Sequence, residues 1–189
     1  MKCSVFIAVS VDGYIAREDG NIVWLHTAGK QGVDLGDDAD MGFNQFMASV
    51  DCMIMGRHCM EVISAMNLTD EQWPYGDTKI YVLSQTLKQL PNNMKNRAEL
   101  AGEGIETLIA RCEQQGYQHA YVDGGKTIQS FLNLKMINQM TLTRIPILLG
   151  RGIPLFSATK SDINLSKIRV ELFANELEQV TYDLEYIRD

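Results

Sequence analysis

The chain has 189 residues, 46% of them apolar and 22% charged, the proportions of a single globular domain spanning 1–189. A net charge of −7 and an isoelectric point near 5.0 exclude nucleic-acid binding through a basic face. No apolar run approaches the roughly 18 residues that a membrane-spanning helix needs.

The first segment, 2–9, is apolar but brief and runs into Ser10 and Asp12, so it reads as a strand rather than a signal segment. A cytoplasmic protein is expected. Turn signals follow at Asp12-Gly13 and Asp19-Gly20, and Trp24 is expected in the core. Loops are expected over 27–38, which holds Gly29, Gly32 and Gly36, and over 67–77. Helices are expected at about 39–50, 57–65, 104–115 and 126–134. Strands are expected at about 51–55, 79–84, 118–122, 139–145, 167–173 and 178–186. The last two alternate with period two and join through Asn175-Glu176. The middle of the chain thus alternates strand and helix, which implies a parallel sheet with right-handed crossovers. The C-terminal third is β only and should add antiparallel strands at one edge. Cys3, Cys52, Cys59 and Cys112 form no CxxC and read as reduced thiols. His26, His58 and His119 form no metal constellation.

Two stretches carry chemistry. In Asp51-Cys-Met-Ile-Met-Gly-Arg-His58 a buried strand ends at Gly56 and a helix opens with Arg57 and His58. A helix N-terminus collects free N–H groups and a positive dipole end, so a glycine and a guanidinium there make a phosphate seat. A plain strand-to-helix turn with a solvent-facing arginine is the other reading. In Tyr121-Val-Asp-Gly-Gly-Lys-Thr127 a strand again ends in glycines before a helix. Gly125-Lys-Thr127 invites a P-loop reading, but Ala120 stands where that motif needs glycine, which rejects a nucleoside triphosphatase. Gly56, Ser84 and Gly124 fall at or just beyond the carboxyl ends of the expected parallel strands. Ligands of open α/β sheets bind there, and an extended phosphate-bearing ligand is expected along that edge.

These blocks, in this order, resemble the dihydrofolate reductase superfamily over essentially the whole chain. The likeness is to its branch containing the reductase domain of the bifunctional riboflavin-biosynthesis deaminase-reductase. Ile54-Met-Gly-Arg-His58 resembles the NADPH-phosphate turn, and Val122-Asp-Gly-Gly125 with Phe131-Leu132 the glycine-pair loop. The stretch from Thr141 to Phe156, with its Leu-Leu-Gly-Arg-Gly, is similar to the riboflavin-reductase branch, as are Ala8, Ser10, Asp12 and Gly13.

The resemblance implies a three-layer α/β/α dihydrofolate-reductase-like fold, a homodimer formed through the C-terminal strands, and NADPH as cofactor. It places the nicotinamide carboxamide at Ala8 and the phosphates at Gly56, Arg57 and His58. Ser84 would lie near the adenosine phosphate, and Gly124, Gly125 and Lys126 along the pyrophosphate. Arg57, helped by Lys126, favours the extra phosphate of NADP. Cys59 departs from the hydroxyl residue usual at this helix start. Asp40 lies nearest the carboxylate that serves substrate protonation in folate reductases, and Thr143 matches a threonine that helps fix it. Taken without the resemblance, Asp40 is a helix N-terminal acid and Thr143 an ordinary strand threonine. The leading reading is an NADPH-dependent reductase acting on a small heterocyclic or sugar-linked substrate, of which the branch's is a phosphorylated ribosylaminopyrimidine. The alternatives are a nucleotide-binding protein without turnover and a true dihydrofolate reductase.

Overall fold

A computed structural model describes residues 1–187. β1 (Lys2–Ser10) and a short β2 (Tyr14–Ala16) lead through a single helical turn, α1 (Trp24–Thr27), to α2 (Phe43–Ala48). The alternating region follows: β3 (Cys52–Gly56), α3 (Arg57–Ala65), β4 (Lys79–Leu83), β5 (Ala98–Ala101), α4 (Ile105–Gln114), β6 (His119–Asp123), α5 (Gly125–Asn133) and β7 (Gln139–Ile145). A short β8 (Ile153–Pro154) precedes the hairpin of β9 (Ile163–Leu172) and β10 (Glu178–Tyr186).

Eight strands make the main sheet in the order β5-β4-β3-β6-β1-β7-β10-β9. The six from β5 to β7 are parallel, and β10 and β9 are added antiparallel. β3 shows why the centre is parallel. Its Cys-Met-Ile-Met run is fully buried, so both faces are covered and no polar alternation is needed. Successive side chains go to opposite layers. Cys52 and Ile54 pack with Leu108 of α4 and Ile128 and Phe131 of α5. Met53 and Met55 pack with Met60 and Ile63 of α3 and Phe43 and Phe46 of α2. The result is the three-layer, dihydrofolate-reductase-like architecture.

Several elements differ from expectation. The helix expected over 39–50 covers only Phe43–Ala48, because Met41 and Gly42 hold φ of 52° and 79° and break the approach to it. β5 has no counterpart among the expected strands: four residues, Ala-Glu-Leu-Ala, carry too little β-signal to show. β9 begins at Ile163 rather than 167. A bulge near Lys167, whose φ is 46°, interrupts its pairing with β10 and its alternation.

Candidate functional site

From β3 the sheet grows outward through β4 and β5, then returns to place β6 on β3's other side. α3 leaves β3 on one face of the sheet and α5 leaves β6 on the other. Between them lies the point where strand order reverses, where an open α/β sheet forms its ligand crevice. A cleft of about 1220 Å³ opens there. Ala8, Gly56, Arg57, His58, Ser84, Gly124, Gly125 and Lys126 all line it.

The two helix starts have the same design. Gly56 and Gly124 are the N-caps of α3 and α5, neither cap carries a side-chain hydrogen bond, and neither first turn holds an acid. Their leading N–H groups and positive dipole ends therefore serve the cleft. Arg57 donates from Nε to Glu61 Oε1 at 2.7 Å, and Glu61 also lies 3.9 Å from the exposed His58. An anion at this turn shares the guanidinium with that carboxylate. Ser84 Oγ accepts from the Leu87 amide at 3.0 Å and so also shapes the turn after β4.

The glycines are glycines mainly for packing. A Cβ on Gly56 would stand 2.6 Å from Thr127 Oγ1, and one on Gly125 would stand 2.8 Å from Ile15 Cδ1 and 3.3 Å from the Pro154 carbonyl. Gly124 has φ of 92°, which a side chain rarely tolerates. Gly56 and Gly125 thus have a packing role as well: their bare backbones let the two turns and the β2–β8 ribbon pack closely.

Between the turns the sheet itself opens. The β1–β6 ladder ends at Ser4–Tyr121, whereas the β1–β7 ladder runs on to Ser10–Ile145. Phe6, Ile7 and Ala8 face the cleft as a result, and the Tyr121 hydroxyl donates to the Phe6 carbonyl at 2.9 Å. Asp123, at the end of β6, lines the same opening and accepts from Cys59 Sγ at 2.8 Å. Burial pushes the Asp123 carboxyl above its ordinary range, against the hydrogen bonds from Cys59 and Gly124. Burial likewise raises the Cys59 thiol and the Tyr75 and Tyr121 phenols. Sequence reasoning missed this group. An acid directly before a glycine pair at a strand's carboxyl end was the available signal for Asp123, but nothing local announces that Cys59, 64 positions away, meets it.

Asp40 and Thr143 lie elsewhere. Asp40 accepts from the Gly42 and Asn44 amides at 3.0 and 2.8 Å, capping the start of α2. Thr143 is buried on β7, where Gln179 Nε2 donates to its Oγ1 at 3.0 Å and to the Met41 carbonyl at 3.0 Å. Gln179 therefore joins Thr143 to the residue after Asp40. Neither residue lines the cleft.

The model of the RibD C-terminal domain matches residues 2–178. The chain belongs to that family. Among its relatives is a Shewanella sp. PV-4 protein whose assignment to riboflavin biosynthesis is itself provisional. That crystal structure superposes with a TM-score of 0.86 at 35% identity, over 98% of this chain and 100% of that one. The uncharacterised Bacillus subtilis protein YwjB is 29% identical over 99% of this chain and 98% of its own length. The bifunctional deaminase/5-amino-6-(5-phosphoribosylamino)uracil reductase of Thermotoga maritima superposes at a TM-score of 0.64 with 13% identity. It shares the fold, and the match spans 96% of this chain and 56% of that protein. The RibD C-terminal family membership thus rests on residues 2–178, and the glycine turns fall inside the matched region.

Proposed function

We propose that the protein is an NADPH-dependent reductase of small heterocyclic or sugar-linked substrates, of the kind found in riboflavin biosynthesis. The observation that carries this reading is the pair of helix N-termini, neither with a side-chain cap, that meet at the switch-point cleft. Such a pair fits the phosphates of an extended ligand lying along that edge. Gly56, Arg57 and His58 would hold one group of phosphates, and Gly124, Gly125 and Lys126 the pyrophosphate. Ser84 would face the adenosine side, and the open edge of β1 at Ala8 would pair with the carboxamide. When bound, the reduced nicotinamide supplies a hydride. The chain's own contribution is to orient that group, exclude water and place the substrate's electrophilic carbon within reach. Asp40, already committed to capping α2, gives no support to a folate-type reading.

Titration with NADPH and NADH, followed by tryptophan fluorescence, tests the proposal. Trp24 packs near Ala8, and Trp73 lies beside the cleft residue Tyr75, so both indoles are placed to report binding. NADPH should bind more tightly than NADH, and Arg57→Ala should erase the difference. Equal affinities, or an indifferent variant, refute the phosphate assignment. Oxidation of NADPH with a panel of aminopyrimidines, pterins and carbonyl compounds then separates a reductase from a binding protein without turnover.

The protein is further proposed to act as a cytoplasmic homodimer. Val180 of β10 is buried, yet its partner Val170 on the same face of β9 is 64% exposed, as is Leu172 at 75%. The core face of the sheet thus continues uncovered onto its edge, and a second copy would cover it isologously. A monomeric mass in light scattering refutes this.

A further inference from the structure

The cations that line the cleft all stand at its two glycine turns. Arg57 and His58 open α3, Lys126 lies in the first turn of α5, and no other lysine, arginine or histidine lines it among the described residues. Farther along α3 the lining changes. Phe6 of β1, Ile63 and Met66 at the far end of α3, and Leu68, Pro74 and Tyr75 of the segment after it are all apolar or aromatic. Phe6, Ile63 and Tyr75 belong to one packed cluster with Phe43 and Trp73. α3 runs nine residues from Arg57, which puts Met66 about 13 Å along the helix axis from the phosphate turn.

This wall is braced from behind. The Arg97 guanidinium lies 4.4 Å over the Trp73 ring and donates to the Leu68 carbonyl at 3.1 Å and to Asp70 Oδ1 at 2.6 Å. Asn93 Nδ2 donates to the Ser64 carbonyl at 2.8 Å and to Asn67 Oδ1 at 3.3 Å, which ties down the turn after α3. Trp73 meets Tyr75 edge-on with ring centres 5.2 Å apart, and Phe43 meets it at 6.4 Å. Tyr75 is thus held in place before any ligand arrives. It is half-buried, yet its hydroxyl has no hydrogen-bond partner among the described residues. Burial, with Asp123 and Cys59 nearby, pushes this phenol up, so it keeps its proton and can donate.

A phosphate dianion needs charge-assisted donors and is costly to bury without them. The groups that suit it are at the glycine turns, where the cofactor's own phosphates would lie. A flat ring instead gains from aromatic and aliphatic cover, and needs only one acceptor to meet one donor. Resting on the reductase reading above, we propose that the wall of Phe6, Ile63 and Tyr75 is the specificity site for a flat, phosphate-free nitrogen heterocycle, which Tyr75 selects by donating its hydroxyl hydrogen bond to a ring nitrogen or carbonyl oxygen. Between a bare heterocycle and a phosphorylated sugar-linked one, the protein takes the former.

Calorimetric titration of the full chain saturated with NADP+ tests this, because bound cofactor keeps probe phosphates from the glycine turns and allows no turnover. The probes are pterin and a ribosylaminopyrimidine with and without its phosphate. The phosphate-free member of the pair should bind at least about fivefold more tightly than its phosphate ester. Tyr75→Phe should weaken pterin at least about fivefold, the worth of one neutral hydrogen bond, and leave NADP+ affinity within about threefold. Met66→Arg, at an exposed position on this wall, should reverse the preference within the pair by supplying a cation. A smaller penalty for the phosphate, a smaller or unselective effect of Tyr75→Phe, a preference that Met66→Arg leaves unreversed, or failure of the probes to bind overturns the proposal while cofactor binding stands. Should NADP+ and NADPH themselves fail to bind, the reductase reading is refuted and the proposal falls with it.

Discussion

β6 begins at His119 and ends at Asp123, and the two ends of this short strand meet opposite conditions. At the amino end, Asp51 accepts from the amides of Gln118 and His119 at 2.8 and 2.9 Å, and those bonds hold its carboxyl below the ordinary range. The His119 ring pairs with the Ser49 carbonyl and the Ser4 hydroxyl, both at 2.8 Å. Because a carbonyl only accepts, Nδ1 carries the proton and Nε2 accepts from Ser4. Polar groups there are mutually satisfied and the ladder is continuous. At the carboxyl end the ladder stops, the helix N-terminus opens on the cleft, and burial drives Asp123 the other way. The amino end is closed by hydrogen bonds and the carboxyl end is open, although one strand supplies both.

Substitution at the glycine turns should break this contrast most forcefully. Gly56→Ala drives a Cβ into Thr127 Oγ1 and should cost about 1–3 kcal/mol in urea unfolding. Adding Thr127→Ala should recover most of that loss, since the clashing oxygen is gone. An unrecovered loss would mean that the turn needs glycine for its own conformation. Arg57→Ala should weaken NADPH about tenfold, a modest figure because Glu61 already shares the guanidinium. The same variant should leave urea stability nearly unchanged. Asp51→Asn should do the reverse, costing under about 1 kcal/mol at this exposed site while NADPH affinity holds.

The subtlest contrast lies in the sign of the pH dependence. Asp51 has a depressed folded pKa, so its contribution is full above the unfolded value of about 3.9 and disappears as pH falls through the folded one. Asp123 has a raised folded pKa, so its contribution is full below about 3.9 and is lost as pH rises through the folded value. Asp123→Asn should therefore raise the melting temperature at neutral pH, whereas Asp51→Asn should lower it. His119, neutral and held down mainly by burial, adds stability above about pH 6.5 that is lost as pH falls through its folded pKa. Calorimetry of wild type, Asp123→Asn and Asp51→Asn across pH checks these directions, and a stabilising Asp51→Asn would undo the contrast.

Much of this was legible before the fold was in hand. The apolar run of β3, the glycine after it and the arginine beginning α3 are local signals, and they located one wall of the cleft. The Gly124-Gly125 pair located the other. The short β5 escaped notice because its place is fixed by pairing with β4 along Ile80–Leu83, a tertiary constraint rather than a propensity. The Asp40 helix was overextended because Met41 takes a backbone conformation rare outside glycine, asparagine and aspartate. The meeting of Cys59, Tyr75 and Tyr121 around Asp123 depends on where β3 and β6 pair, and no spacing along the chain encodes it.

The contact between Gly56 and Thr127 reaches beyond packing. It locks the first turns of two helices from opposite faces of the sheet against each other, so neither can shift without the other. On the reading proposed above, the phosphates would meet one rigid seat rather than two independent ones. The fit of that seat is set by the absence of one methyl group.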